Sequence, residues 1–304
     1  MKRRTFIQKA AAGTAFLSLG TPTLTSCSNT NKKHITILHT NDTHSHIDSF
    51  PIDHPDYPNQ GGAARRATII ENIRKENPNT LLLDAGDIFQ GTPYFNYYGG
   101  ELEFKIMSML RYDVATLGNH DFDNGIDGLF NQLPNAKFHF VNSNYVFTNT
   151  KLDTHIKPYK IFVRDGITIG VFGLGVELEG LVNKDNYKDI LYLDPIEIAT
   201  DMARELKEDH ECDLVICLSH LGYYFADKPE KVCDLSLAQN TENIDLIIGG
   251  HTHTFLEKPM ILKNKNNEDV LVNQVGCYGI NVGRIDFYFD DTSIVQKEGK
   301  SIII

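Results

Sequence analysis

Val114-Ala115-Thr116-Leu117 runs directly into Gly118-Asn119-His120-Asp121-Phe122-Asp123. A short apolar run closed by a glycine reads as a buried strand, and here side chains able to bind metal follow at once. The arrangement recurs along the chain. Ile35 to His39 leads into Asn41-Asp42-Thr43-His44, and Thr80 to Asp84 into Ala85-Gly86-Asp87. Leu214 to Leu218 precedes Ser219-His220, and Ile244 to Ile248 precedes Gly249-Gly250-His251-Thr252-His253. Five strands therefore deliver Asp, Asn or His at their carboxyl ends. In an open α/β sheet that edge is where ligands bind.

Helical patterns lie between these strands. Gly62 to Glu76 has apolar Ile69, Ile70 and Ile73 at helical spacing and is stopped by Asn77-Pro78. Leu102 to Leu110 is a second helix. Pro195 to His210 is a third, with Asp194 placed to cap it and proline in its first turn. Ile167 to Leu174 is a further strand, and Asn281 to Asp290 with Ser293 to Ile304 forms a closing hairpin around Asp290-Asp291. Alternating strands and helices give an α/β class. The strand-rich stretch from Pro259 onward adds an antiparallel portion, so the sheets are mixed.

The donors at the strand ends are carboxylate, amide and imidazole, with no thiolate. That set suits Mn²⁺, Fe, Zn²⁺ or Co²⁺ rather than Cu(I) or an iron–sulfur cluster. Asp42 and His44, two residues apart on one turn, can address a single ion. Asp87 has two oxygens to share and is the natural bridge, while Asn119 adds a neutral oxygen. Each motif alone is common in ordinary turns, and an isolated histidine such as His220 is more often a core residue. Five motifs in one order after five strands are much harder to reach by accident.

The 304 residues are 41% hydrophobic and 23% charged, which excludes a fibrous or largely disordered chain. The net charge of −11 becomes −15 once the first 26 residues, with four basic and no acidic side chains, are set aside (25 − 40). Such a surface disfavours nucleic-acid binding but admits small anions where a bound cation supplies the attraction. Lys2-Arg3-Arg4-Thr5-Phe6-Ile7 followed by a short apolar run to Gly20 resembles a twin-arginine export signal. Leu24-Thr25-Ser26-Cys27 resembles a lipoprotein cleavage site with Cys27 as the acylated residue. These features divide the chain into a signal peptide (1–26), a polar tether (27–33) and a catalytic domain (34–304). They place the protein in the cell envelope or periplasm, touching membrane only through a lipid anchor. Cys212, Cys217, Cys233 and Cys277 include no CxxC pair, so a zinc ribbon is not expected, and Cys212 and Cys217 sit at an apolar run that favours buried free thiols.

Asp42-x-His44, Gly86-Asp87, Gly118-Asn119-His120-Asp121, His220 and Gly250-His251-Thr252-His253 together resemble the calcineurin-like metallophosphoesterase superfamily. Asn41 to His44, Gly118 to Asp123 and Asn273-Gln274-Val275-Gly276 resemble its bacterial 5′-nucleotidase and UDP-sugar hydrolase branch. The resemblance, from about His34 to Ile304, implies a four-layer α/β/β/α sandwich of two mixed sheets with a dinuclear metal site between them. It implies that Asp42, His44, Asp87 and His253 hold one divalent ion, and Asp87, Asn119, His220 and His251 the other. Some nucleotidases have Gln where this chain has His253, which leaves the metal open. His120 is implied to face the phosphate beside Asn119, with Asp123 orienting its ring. The implied reaction is in-line attack of a metal-activated water on a phosphomonoester, with 5′-nucleotides as substrates.

Three other readings share the scaffold: a cyclic-nucleotide phosphodiesterase, a sulfur-ester hydrolase, or a metal-binding lipoprotein subunit without turnover. The presence of both His120 and Asp123 argues against the last, because holding metal needs neither. Nucleotidases of this branch continue into a second domain that grips the nucleotide, so a separately encoded nucleotide-binding domain is an expected partner. Tyr94, Phe95, Tyr97 and Tyr98 offer a stacking surface, although packing against neighbouring helices is the expectation for aromatics at this spacing.

Overall fold

Continuous apolar runs predict strands covered on both faces. The computed structural model describes residues 32–304; the export segment and Cys27 lie outside the described residues. The strands are β1 (Lys33–Thr40), β2 (Thr80–Asp84), β3 (Val114–Ala115), β4 (His139–Phe140), β5 (Tyr145–Val146), β6 (Tyr159–Arg164), β7 (Ile167–Leu174), β8 (Leu191–Tyr192), β9 (Leu214–Ser219), β10 (Leu246–Ile248), β11 (Met260–Lys263), β12 (Asp269–Asn273), β13 (Asn281–Asp290) and β14 (Ser293–Ile303). The helices are α1 (Ala63–Glu76), α2 (Pro93–Tyr98), α3 (Glu101–Met109), α4 (Gly125–Gln132), α5 (Lys184–Tyr187), α6 (Pro195–Arg204) and α7 (Asp234–Asn240).

Two six-stranded mixed sheets result. One has the order β14-β13-β1-β2-β3-β4, the other β11-β12-β10-β9-β7-β6. Strands β1 to β4 are mutually parallel, as are β7, β9, β10 and β12. The antiparallel members are β13 and β14 in the first sheet and β6 and β11 in the second.

Side chains alternate across each strand, and three apolar layers follow from it. Ile35 and Ile37 of β1, Leu81 and Leu83 of β2, Ile216 and Leu218 of β9 and Ile248 of β10 fill the space between the sheets. Leu38 and Leu82 point the other way, into a layer with Ile70 and Ile73 of α1 and Phe104 of α3. Val215, Cys217 and Ile247 do the same toward Ala199 and Ala203 of α6 and Leu237 of α7. This is the four-layer α/β/β/α sandwich. All four described cysteines are free and buried.

The α6 cap is present, with Asp194 Oδ1 accepting from the Ile196 and Glu197 N–H groups at 2.8 and 3.0 Å. The expected helix to His210 does not stay regular. A π-turn over Glu205–Asp209 ends it, with the Cys212 N–H bonded to Leu206 O at 2.9 Å, and the wider turn keeps Leu206 buried. Val114 to Leu117 is expected as one strand, but the ladder covers only Val114–Ala115, after which the Thr116 hydroxyl bonds Val141 O at 2.8 Å. Among the described residues no helix is long and apolar enough to cross a membrane.

Candidate metal centre

Because the parallel strands of both sheets end at one edge, their loops converge there. The structure brings Asp42, His44 and His253 into one group and Asp87, His220 and His251 into a second, with the ligand atoms of each group within 4.8 Å of one another. In the first, His44 Nε2 is 3.0 Å from His253 Nε2, and His253 Nε2 is 3.3 Å from Asp42 Oδ1. In the second, His220 Nε2 lies 3.1 Å from Asp87 Oδ2. Asn119 joins this group, with Oδ1 2.9 Å from His251 Nδ1. Asp87 Oδ2 is also 3.8 Å from His44 Nε2, so one oxygen stands between the groups. Its partner Oδ1 is occupied, accepting the His120 N–H at 2.8 Å.

The backbone here is unusual. Asp42, His44, Asp87, His251 and His253 all have φ between 46° and 71°, five of the seven candidate ligands. Left-handed backbone at non-glycine residues persists only where surroundings enforce it, and it concentrates at functional sites. The enforcing contacts are visible. Asp121, buried, accepts the N–H groups of Ile88 (3.0 Å) and Phe89 (3.2 Å) on Oδ1, and those of Asp87 (3.1 Å) and Gly118 (2.8 Å) on Oδ2. It thereby ties the loop bearing Asp87 to the loop bearing Asn119. Asn41 Nδ2 donates to Asp42 Oδ2 and to Gly276 O, each at 2.6 Å, while its Oδ1 accepts the Val275 N–H at 3.0 Å. Gln274 donates to Gly250 O at 2.6 Å and accepts from the Thr254 N–H, bracing the histidine loop. Gly118 is required by proximity, since a Cβ there would lie 2.1 Å from Asp87 Oδ1. Sequence reasoning alone assigns no role to Asp121, Asn41 or Gln274. Their only signal is membership of the motifs, because their partners are distant in the chain.

Two imidazoles are aimed by carbonyls. His44 Nδ1 bonds Phe89 O at 3.1 Å and His220 Nδ1 bonds Ala85 O at 2.7 Å, which leaves each Nε2 free to bind metal. His220 Nε2 is fully buried, and the Asp87 carboxylate at 3.1 Å is the polar group it faces, an imidazole–carboxylate pair of the kind that holds a divalent cation. Burial opposes charge on His220, yet the Asp87 carboxylate beside it lifts its pKa to about 10. Burial lowers that of His251 to about 4 and lowers that of His44.

His120 belongs to neither group. Its ring stands edge-on to His44 at 5.2 Å, and its side chain keeps 38% of its exposure. Nδ1 bonds Asp123 Oδ2 at 2.8 Å, and this hydrogen bond raises the imidazole pKa against the opposing effect of burial. The tyrosines of α2 depart from the packing expectation. Phe95 is buried against Phe89, but Tyr97 and Tyr98 are 85% and 51% exposed. With only six residues, α2 can bury little more than one side chain before Gly99 ends it.

A profile of the calcineurin-like phosphoesterase family matches residues 35–255. The chain belongs to that family. This calcineurin-like phosphoesterase is 32% identical over 302 residues to the trifunctional nucleotide phosphoesterase protein YfkN of Bacillus subtilis, covering 89% of this chain and 19% of that protein. It is 33% identical over 294 residues to the snake venom 5′-nucleotidase of Naja atra, covering 89% of this chain and 53% of the other. Among solved structures it superposes on the 5′-nucleotidase precursor of Thermus thermophilus with a TM-score of 0.81 at 32% identity, covering 90% of this chain and 55% of that one. The chain thus spans about half the length of these two 5′-nucleotidases.

Proposed function

We infer that the chain is a phosphomonoesterase that works with two divalent ions and accepts 5′-nucleotides. The observation that carries this reading is Asp87, one of whose oxygens reaches the histidines of both groups, at 3.1 Å and 3.8 Å. The donor set fits hard or borderline cations, and the fully buried His220 Nε2 beside Asp87 Oδ2 fits a ligand role. Asp42, His44, Asp87 and His253 would hold one ion, and Asp87, Asn119, His220 and His251 the other. Mn, Zn, Fe and Co all suit these donors. Bound there, two divalent cations supply Lewis-acid polarisation of the phosphoryl oxygens and lower the pKa of water.

The chain's own residues supply the rest. Asn119 offers a neutral amide at the phosphate, adding no further negative charge. Asp123 accepts the His120 Nδ1–H, fixing the ring and favouring the imidazolium. The opposite edge, Nε2–H, then hydrogen-bonds the phosphoryl oxygen or gives its proton to the leaving oxygen as the P–O bond breaks. Relatives named as nucleotidases and a nucleotide phosphoesterase support nucleotide substrates. The basic, then apolar N-terminal segment and Cys27 support export by the twin-arginine route to the cell envelope with a lipid anchor.

The test is phosphate release from AMP by the purified, metal-loaded chain, with metal content measured on the same samples. Wild type is expected to release phosphate and carry two ions per chain. Asp87→Ala is expected to lose both ions and fall to background rate. A variant that keeps two ions, or a wild type that releases no phosphate, would remove the reading.

A further inference from the structure

His120 and Asp123 stand on little structure of their own. They bracket one short 3₁₀ turn, His120–Phe122, closed by the Asp123 N–H on His120 O at 3.1 Å. Both side chains are partly open to water, at 38% and 28% exposure. Water competes for a hydrogen bond that solvent can reach, so their 2.8 Å contact depends on how firmly each group is held. His120 is held from the bridge side, its N–H on Asp87 Oδ1. Asp123 is held from another part of the chain.

Asn186, 63 positions further on, donates from Nδ2 to Asp123 O at 2.8 Å. A carbonyl only accepts, so the amide must present its NH₂ group here. Asn186 lies on α5, a helix of four residues that is too short to be stable alone. Packing holds it instead. Tyr187 and Ile190 are 7% and 5% exposed and share one apolar layer with Phe122, which lies between His120 and Asp123. Asn186 also packs across Gly125, where a Cβ would lie 3.6 Å from the Asn186 Cα. Gly125, at φ 71°, turns the chain from Asp123 into α4. The amide therefore stands on a fixed platform.

A carbonyl at a half-open turn can be satisfied by water and needs no asparagine for stability. The platform does something water does not. With the peptide group before Asp123 tied to His120 O and the one after it tied to Asn186, the Cα–Cβ bond of Asp123 points one way. The carboxylate then meets His120 Nδ1 already oriented. We propose that Asn186 is a positioning residue for the His120–Asp123 pair, acting through the main chain of Asp123. The proposal rests on the phosphomonoesterase reading above and adds to it a residue outside the five strand-end motifs.

The experiment is steady-state kinetics on AMP with the Zn²⁺-loaded chain, with ion content measured on the same samples. Asn186→Ala and Asn186→Asp both remove the donor, the second keeping the shape. Each is expected to lower kcat by about 2- to 10-fold, the range that one neutral hydrogen bond commands, with KM and both ions unchanged. In an Asp123→Ala background, Asn186→Ala is expected to change kcat no further, because the carboxylate it serves is gone. Asn183→Ala, which removes the α5 cap on the Asp185 N–H (3.0 Å), is expected to keep the wild-type kcat. A readout free of turnover is the downfield proton resonance of His120 Nδ1–H, assigned by its absence from His120→Asn. It is expected to be sharp in the wild type and broadened by solvent exchange in both Asn186 variants. Full kcat in both Asn186 variants, loss of an ion, an equal further loss in the Asp123→Ala background, an equal loss in Asn183→Ala, or an unchanged resonance would each overturn the proposal. If AMP is not hydrolysed at all, the phosphomonoesterase reading fails, and the resonance still decides the role of Asn186.

Discussion

The two halves of the candidate metal centre each combine two buried ligands with one partly exposed histidine, and they differ in how deep the buried histidine lies. His220 is fully buried beneath the strand ends, whereas the His44 side chain keeps 6% and the His253 side chain 35% of its exposure. The Asp87 group is a floor, held by the Asp121 brace and the Ala85 carbonyl. The Asp42 group is a rim, with its most exposed ligand, His253, on the loop that Gln274 steadies and that also carries His251 of the floor. A ligand shut off from water gains more from a cation, because water does not compete for it. The floor ion should therefore bind tightly and exchange slowly, and the rim ion should exchange readily. An Asp87 carboxylate serving both ions would then couple two ions of unequal affinity.

Truncations should expose the inequality. His220→Ala removes an imidazole from the floor and leaves Asp87 facing a void, so loss of the floor ion and nearly all activity is expected. His253→Ala should weaken the rim ion alone, in a way that excess metal rescues. Metal titration followed by activity measurement checks both, and equal losses with equal rescue would erase the distinction. A second contrast separates holding metal from promoting reaction. His120→Asn should retain both ions yet lower kcat by about 10²-fold or more, and a variant that loses an ion would make His120 a ligand.

Proton release at the floor is a smaller effect. Of its two histidines, His220, with its pKa lifted to about 10 by the Asp87 carboxylate, carries a proton at neutral pH that a cation must displace, whereas His251, lowered to about 4 by burial, does not. Binding to the floor should release a proton, and affinity there should fall as pH falls. Calorimetry in buffers of different ionisation enthalpy measures this, and binding without proton release would contradict it. The smallest effect concerns Asp123. Its hydrogen bond raises the His120 pKa, so the cationic ring survives to higher pH in the wild type. Asp123→Asn should move the alkaline limb of the kcat profile to lower pH, and an unmoved limb would deny the pair its role.

Much of this floor and rim is legible in the sequence because the relevant physics is local. An apolar run followed at once by a metal-capable side chain, in three of the five cases with a glycine between them, marks a strand end. Asp42, Asp87, Asn119, His220 and His251 each follow such a run within a few residues. Legibility is lost where a contact depends on chain segments far apart. Asp121 stands within its motif, yet its four acceptor contacts exist only once the loop at Asp87 folds over it. Asn41 and Val275 are 234 positions apart (275 − 41), and no periodicity links them. The α2 tyrosines escape the packing expectation because spacing indicates a helix but not its length, and a helix of six residues cannot bury a stripe. The π-turn after α6 is likewise hidden, since it is selected by the packing of Leu206 rather than by a breaker residue.

The shared oxygen of Asp87 is the claim on which both halves depend, and paramagnetic resonance of the Mn²⁺-loaded protein tests it most directly. One carboxylate oxygen serving both ions holds them close enough for their spins to couple. The expected result is an exchange-coupled spectrum at two equivalents of Mn²⁺, replaced in Asp87→Ala by the signal of unbound or isolated ions. Two independent six-line signals in the wild type at full occupancy would contradict it.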